Sequence, residues 1–265
     1  MIVIWLAGMK VSELSLDFLN ASIDDLKASQ ILYEHQLYAL SIFHLQQAIE
    51  KALKSILLFL KMFPREEDLE SWLSKDVSHY VMENIGKIML KYVQTSFSSI
   101  SAPIASPISD FLEKQVKDYE KEVLRKLKHT SLMKKKDLER LLDLIIKRCD
   151  EKWVVQKINE GLHGIWTEVL LPPQILSNIR SEIEARFLDS IKQTSLYMLR
   201  LGIISLIFEG LKIEKISRYP SSKNSRLGPK IFAGQHPLTT KLNKLIEIVD
   251  SSIKKMNEFM VSQRL

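Results

Sequence analysis

Residues 20–60 read NASIDDLKASQILYEHQLYALSIFHLQQAIEKALKSILLFL, and two apolar stripes run through and just ahead of this stretch. The first stripe consists of Leu16, Leu19, Ile23 and Leu26. The second consists of Ala39, Ile42, Phe43, Ile49, Leu53, Ile56, Leu57 and Leu60. Because residues three and four apart lie on one side of a helix, both stripes predict amphipathic helices, at about 16–33 and 37–62. The polar break Glu34-His35-Gln36 predicts an antiparallel reversal between the two helices. Because a helical hairpin cannot bury its apolar side alone, later helices must cover it.

The composition favours an all-α protein that lies in the cytoplasm. The chain has 265 residues, of which 46% are hydrophobic and 26% charged, and only 8 Gly and 8 Pro. These values are ordinary for a soluble globular protein. Cys149 is the single cysteine, which excludes an intrachain disulfide and fits a reducing compartment. The apolar runs at 1–10 and 196–211 are too short or too interrupted by charge to predict a membrane span.

Three groups of residues in the hairpin resemble the signature of the HEPN domain family. They are Asp24-Asp25-Leu26 with Ala28, then Tyr38-Ala39, then the run FHLQQAIEKALK at 43–54. HEPN domains are small bundles of four or five helices, found in prokaryotes and a few eukaryotic proteins. The resemblance therefore implies a HEPN-like antiparallel helical bundle. It also implies a histidine near the start of the third helix, which is the position of His79.

The remaining sequence predicts further helices and a discontinuous domain. Helices are expected at about 66–73, 79–93, 110–128, 132–161, 174–190 and 192–213, and a final one from Thr239 or Thr240. A Ser- and Pro-rich linker covers 98–110. The Arg218-Tyr219-Pro220 loop before the final helix is similar to the end of many HEPN domains. The resemblance thus implies a HEPN-like bundle formed by 1–97 and 211–265, with 98–210 as a helical insertion.

Positive charge is concentrated near the C-terminus. The net charge of the chain is +6, and from Leu211 onward 11 basic residues face 4 acidic ones. A basic segment with aromatic residues favours an anionic partner such as RNA, with Tyr219 and Phe232 able to stack on bases. The candidate binding residues of this segment are Arg218, Tyr219, Lys223, Arg226 and Lys230. The alternative is a solvated lysine-rich loop.

A second candidate site lies on the second helix of the hairpin. His44, Gln47, Lys51 and Lys54 are spaced by three, four and three residues, which places them on one face. This face could bind an anion or nucleotide, and the alternative is a solvated helix face beside the core. His79 is a further candidate, with a structural histidine as its alternative.

The sequence does not show the usual ribonuclease motif of the family. Many HEPN proteins that cut RNA carry an Arg followed, after four to six residues, by a His. Arg125 and His129 leave three residues between them, and Arg226 and His236 leave nine. No Cys pair, HExxH motif or P-loop is present, so no metal or cofactor is expected. Asp24 and Asp25 are adjacent and should point to different faces.

The first functional hypothesis is a HEPN-domain protein that binds nucleotide or RNA. The resemblance places such a protein in a toxin–antitoxin or defence pair with a nucleotidyltransferase partner, as a homodimer and away from the membrane. One alternative is a metal-independent endoribonuclease with a non-standard site. The other is a non-catalytic dimeric adaptor that binds protein.

Overall fold

The computed structural model describes residues 11–62, 69, 121, 135–150, 152, 156, 197–198, 200–205, 207–208 and 232–262. Within these ranges lie four continuous helices: α1 (Val11–Glu34), α2 (Tyr38–Phe59), α3 (Lys135–Arg148) and α4 (Pro237–Ser262). The described positions between 197 and 208 are also helical. No strand occurs within these ranges, so the predicted all-α fold is confirmed. The helices predicted at 79–93 and 174–190 and the linker at 98–110 lie outside the described residues.

The reversal predicted at Glu34-His35-Gln36 is confirmed, and its main-chain hydrogen bonds explain the turn. The amide of Leu37 donates to the carbonyl of Leu32 at 2.8 Å, and the amide of Gln36 donates to Tyr33 at 2.9 Å. Gln36 takes the left-handed conformation with φ of 60°. This pair of bonds around a left-handed residue is the Schellman motif, which satisfies the last carbonyls of a helix. The chain therefore leaves α1 in a fixed direction and enters α2 within three residues.

Small residues spaced seven apart form the seam between α1 and α2, and we call these three pairs the serine ladder. The pairs are Ser15 with Ser55, Ser22 with Ala48, and Ser29 with Ser41, and all of these residues are fully buried. Ser15 and Ser55 donate to each other's carbonyls at 3.0 and 2.7 Å. Ser29 and Ser41 do the same, each at 2.8 Å, and Ser22 donates to the carbonyl of Ala48 at 2.8 Å. Since a serine oxygen is only two bonds from Cα, these contacts bring the two main chains close together.

One hydrophobic core joins the hairpin to α3, α4 and the helical residues near 200. Helix α4 packs against α1, α2 and α3. At one end, the rings of Phe59 and Phe259 meet edge to face with centroids 5.6 Å apart. The apolar stripe of α4 faces the core. Phe259 is partly buried, and the other members are buried: Leu242, Leu245, Ile246, Val249, Ile253 and Met256. Among the described helices, none is long and apolar enough to cross a membrane.

Several predicted helix ends are wrong, and one of them is the end of α2, which was predicted at about 62 and lies at Phe59. Helix α1 is already helical at Val11, and Ser15 lies in the seam of the hairpin rather than near the helix start.

The helix predicted to reach Gly161 ends at Arg148. Just beyond this end, the side chain of Arg200 donates to the carbonyl of Cys149 at 2.6 Å.

Helix α4 begins at Pro237, before the predicted start at Thr239 or Thr240. The Nδ1 atom of His236 accepts a hydrogen bond from the amide of Leu238 at 3.2 Å, and its carbonyl accepts one from Thr240 at 3.0 Å. His236 is therefore the N-cap, and Pro237 occupies the first helical position, where its missing N–H costs nothing.

The predicted division into a bundle and an insertion stays a prediction. Helix α3 belongs to the predicted insertion, yet Leu141, Leu142 and Ile145 share the core with the hairpin. The outward side of α3 also contacts α4 through Lys241 and Asp143, whose charged atoms are 2.5 Å apart. Residues of the predicted insertion and of the bundle thus pack as neighbours.

Candidate functional site

A carboxylate on α1 joins two side chains of α2, and we call Asp25, His44 and Lys51 the Asp25 cluster. Atom Oδ1 of Asp25 is 2.8 Å from Nδ1 of His44. Atom Oδ2 accepts a hydrogen bond from Nζ of Lys51. The side chain of Asp25 is 13% exposed, whereas those of His44 and Lys51 are each 31% exposed. The carboxylate is therefore held at the seam while its two partners extend toward solvent.

The geometry of the two helices explains why Asp25, and not its neighbour, forms this cluster. Consecutive residues on a helix point about 100° apart, so Asp24 and Asp25 face different directions. Asp24 is 77% exposed and lies 3.8 Å from Lys27 on the outside of α1, which confirms the predicted divergence. His44 and Lys51 are seven residues apart and share one side of α2. The single carboxylate of Asp25 fits between them.

The hydrogen bond to Asp25 fixes the proton on the imidazole of His44. An ionised carboxylate only accepts hydrogen bonds, so Nδ1 of His44 must be the donor. In neutral histidine this leaves Nε2 as an acceptor with a free lone pair. Among the described residues, Nε2 has no hydrogen-bond partner. Lys51 carries three N–H donors and uses one on Asp25, so donors remain on the exposed side.

The other two candidates on α2 differ in their surroundings. Gln47 is half-buried and lies three residues from His44 and four from Lys51, so it borders the cluster. Lys54 is only 6% exposed and pairs with Glu50 on the same helix. Lys54 is therefore less accessible than His44 and Lys51, which are each 31% exposed. Lys54 lies ten residues after His44 on the helix and is turned toward the interior. Its aliphatic chain packs there, and the carboxylate of Glu50 neutralises its charge.

Most of the basic C-terminal candidates lie outside the described residues, as does His79. This applies to Arg218, Tyr219, Lys223, Arg226 and Lys230. Further along, the described lysines of α4 have acidic neighbours. Lys241 contacts Asp143, and Lys244 lies 2.9 Å from Glu247. The positive charge of this helix is thus largely compensated.

Phe232 cannot stack on a base as the sequence suggested, because its side chain is only 1% exposed. Its ring meets the imidazole of His236 edge to face, with centroids 5.1 Å apart. Its carbonyl accepts a hydrogen bond from the hydroxyl of Thr239 at 2.9 Å. Phe232 therefore anchors the start of α4. Burial, and after it the charge of Lys135, lowers the pKa of His236, which suits an imidazole that accepts a hydrogen bond.

Asp25 is the site residue that the sequence interpretation missed. The sequence marks Asp25 only as part of the 24–26 signature and as a neighbour of Asp24 on a different face of the helix. The missing information was the register of the hairpin, because Asp25 meets His44 only when α1 and α2 pair as the serine ladder dictates. That register was readable in principle, since small residues recur every seven positions on both helices. Across the part of the chain that the structure describes, no three His, Cys, Asp or Glu side chains cluster as metal ligands.

Comparisons with known proteins agree with the fold and with the hairpin signature. The family model of the HEPN domain matches residues 15–99, which include most of α1 and all of α2. A search of curated proteins and a search of solved structures each found no match. The matched range contains all three residues of the Asp25 cluster as well as Gln47. Residues 15–99 of this chain are a HEPN domain.

Proposed function

We propose that this HEPN-domain protein binds nucleotide or RNA, and that the Asp25 cluster with Gln47 forms part of the binding surface. The observation that supports the proposal is the double contact of Asp25, which orients His44 and Lys51 side by side. A side chain that is already oriented loses less conformational entropy when it binds a ligand. The surface also combines the hydrogen-bonding types that a nucleotide requires.

Each residue of this surface fits a different part of a nucleotide. The remaining N–H donors of Lys51 suit a phosphate oxygen. The free Nε2 of His44 can accept a hydrogen bond from a ribose 2′-hydroxyl. The amide of Gln47 offers both a donor and an acceptor, which suits the edge of a base. Together they cover phosphate, sugar and base within two turns of α2.

The charge of the cluster limits what it can do alone. Asp25 offsets the charge of Lys51, so the cluster is electrically neutral when His44 is neutral. Affinity for a polyanion must then come from additional cations, and the basic residues from Arg218 to Lys230 are the proposed source. Binding should weaken as salt rises, because phosphate contacts release counterions.

A second candidate function, metal-independent RNA cleavage, is favoured by the hydrogen bond between Asp25 and His44. A carboxylate on Nδ1 orients the imidazole and stabilises its protonated form, which makes Nε2 a suitable general base. In this mechanism Nε2 removes the proton of a 2′-hydroxyl, and the alkoxide attacks the adjacent phosphorus to form a 2′,3′-cyclic phosphate. The bond from phosphorus to the 5′-oxygen breaks, and the leaving 5′-oxygen takes a proton from the protonated imidazole or from water. Lys51, beside the imidazole, would stabilise the negative charge that develops on the phosphoryl oxygens.

One experiment tests both functions. Purified full-length protein is incubated with end-labelled RNA of mixed sequence, with and without EDTA, and is assayed for binding and for cleavage. The variants are His44→Ala, Lys51→Gln and Arg218→Ala. Lys27→Gln is the matched control, because Lys27 has the same charge but lies on the outside of α1 with 66% exposure.

The outcomes separate the functions. Salt-sensitive binding that falls several-fold in Lys51→Gln and Arg218→Ala, but not in Lys27→Gln, is the expected result. Cleavage that persists in EDTA and is lost in His44→Ala would make the protein a ribonuclease. Absence of both signals at low salt and high protein concentration would contradict the proposal and favour the dimeric adaptor. Co-purification of a nucleotidyltransferase partner would support membership of a paired toxin–antitoxin or defence system.

A further inference from the structure

A cleft of about 560 Å³ lies at the end of α3, outside the HEPN domain. Its walls come from the last turn of α3, the middle of α4 and the helical residues near 200. Three of its side chains are basic: Lys147, Arg200 and Lys244. Ile146 and Ile248 supply apolar wall. None of these residues contributes to the Asp25 cluster, so the cleft is a separate site.

Arg200 is held in place by main-chain and aromatic contacts. Its Nε donates to the carbonyl of Cys149 at 2.6 Å. Its Cζ lies 6.0 Å from the ring centroid of Tyr197. Its two terminal nitrogens make no hydrogen bond to any residue that the structure describes. A guanidinium anchored through one nitrogen presents the planar fork that binds carboxylate and phosphate oxygens.

Among the residues that the structure describes, the charges around the cleft leave a positive excess. The acidic side chains in its wall are Asp150 and Glu247, against three basic ones. Glu247 is already paired with Lys244 at 2.9 Å. Lys147 has no acidic partner among the described residues. The cations without a fixed acid are therefore Lys147 and Arg200, and both lie beside the apolar wall.

We propose that this cleft binds a small organic anion, with its oxyanion group on Arg200 and Lys147 and its apolar part against Ile146 and Ile248. A cleft of this size accommodates a ligand of one or two rings. The two apolar side chains exclude water on one side, which strengthens the hydrogen bonds from Arg200. Because the ligand would contact α3, α4 and the helical residues near 200 together, it would also raise the melting temperature of the full chain.

The test uses two fluorescent probes that differ in charge. Anilinonaphthalene sulfonate is an apolar anion, and N-phenyl-1-naphthylamine is its neutral counterpart. The full-length protein is titrated with each probe as wild type, Lys147→Gln and Arg200→Lys. Lys136→Gln is the matched control, because Lys136 is also an exposed lysine of α3 but lies in its first turn. Circular dichroism verifies that each variant is folded.

We expect one anionic probe to bind per chain and Lys147→Gln to weaken that binding roughly tenfold, the usual effect of losing a charge-assisted hydrogen bond. Lys136→Gln should bind like wild type, and the neutral probe should not distinguish Lys147→Gln from wild type. Competition by benzoate or by phenyl phosphate then identifies the preferred oxyanion. Equal binding of both probes, or equal affinity in Lys147→Gln and Lys136→Gln, would overturn the proposal. If the probe binds at the exposed Leu37 of the hairpin turn and not in the cleft, Lys147→Gln and Lys136→Gln will have equal affinity.

Discussion

Replacing Ser22 by valine should destabilise the protein far more than replacing it by alanine. Ser22 is the central rung of the serine ladder, it is fully buried, and its hydroxyl lies 2.8 Å from the carbonyl of Ala48. Alanine removes the hydrogen bond and leaves the helices where they are. Valine also places two methyl groups where the main chains nearly touch.

The expected free energies of unfolding follow from these two effects. Loss of one buried hydrogen bond lowers the stability by about 1 kcal/mol, which is the expected cost of Ser22→Ala. Overpacking a closed seam costs a further 1–3 kcal/mol or so, which gives about 2–4 kcal/mol for Ser22→Val. Ala48→Ser should change the stability by less than about 0.5 kcal/mol. The new hydroxyl can donate to the Ser22 carbonyl as in the other rungs, while serine is a slightly poorer helix former.

Urea unfolding followed by circular dichroism measures these differences through the midpoint at constant m-value. Asn20→Val is the matched control, because Asn20 is exposed on α1 two residues away and receives the same β-branched side chain. We expect that control to lie within about 0.5 kcal/mol of wild type. If Ser22→Val unfolds at the same urea concentration as Ser22→Ala, the two main chains are not in close contact at this rung. The serine ladder would then no longer explain the register between α1 and α2.

Three further predictions concern other parts of the fold. The pKa of His236 is lowered by burial and by Lys135, so the folded state prefers neutral histidine. Its contribution to stability should be complete above pH 6.5 or so and decline as the pH falls below that value, by at most about 1.4 kcal/mol per pH unit. The free energy of unfolding in urea, measured between pH 7.5 and 5, should decline less in His236→Asn, which keeps an N-cap acceptor. A decline equal to that of wild type would contradict the assignment. Gln36→Gly should stabilise the protein by up to about 1 kcal/mol, because φ is 60° there and glycine adopts this conformation without strain; a loss of thermal stability would refute it. Burial raises the pKa of Cys149 to about 12, so at pH 8 the folded protein should react with iodoacetamide orders of magnitude more slowly than the urea-unfolded chain; similar rates would show that the thiol is accessible.

The helices were largely predictable because their stripes repeat with the helical period. Most members of the predicted stripe of α2 are buried, but Ala39 and Phe43 are only partly so, and buried residues such as Leu45 and Leu58 lay outside the prediction. Helix ends were harder to predict, since contacts with distant residues are not visible in the spacing. Just beyond the end of α3, Arg200, far away in sequence, donates to the Cys149 carbonyl. The start of α4 was readable locally, because proline favours the first helical position.

The candidate site was only partly predictable for a similar reason. The spacing of His44 and Lys51 on one helix was visible in the sequence, but their common partner Asp25 lies on the other helix. Periodicity alone also could not separate Lys51 from Lys54, because both lie near the border between the solvated and buried sides. Which lysine becomes buried depends on the residues that pack against α2. An aromatic residue in a basic segment can stack on a base or pack in the core, and the structure shows that Phe232 is buried.

The position of α4 in the core has a consequence for how the chain folds as it is synthesised. The α1–α2 hairpin is held by contacts between residues close in sequence, so it can form early. Part of its remaining apolar surface, around Phe59, is covered by α4, whose residues 237–262 are made much later. Until then the nascent hairpin exposes the apolar surface that α4 covers. We therefore expect the growing chain to depend on chaperones for most of its synthesis, and to complete its core only after α4 has left the exit tunnel.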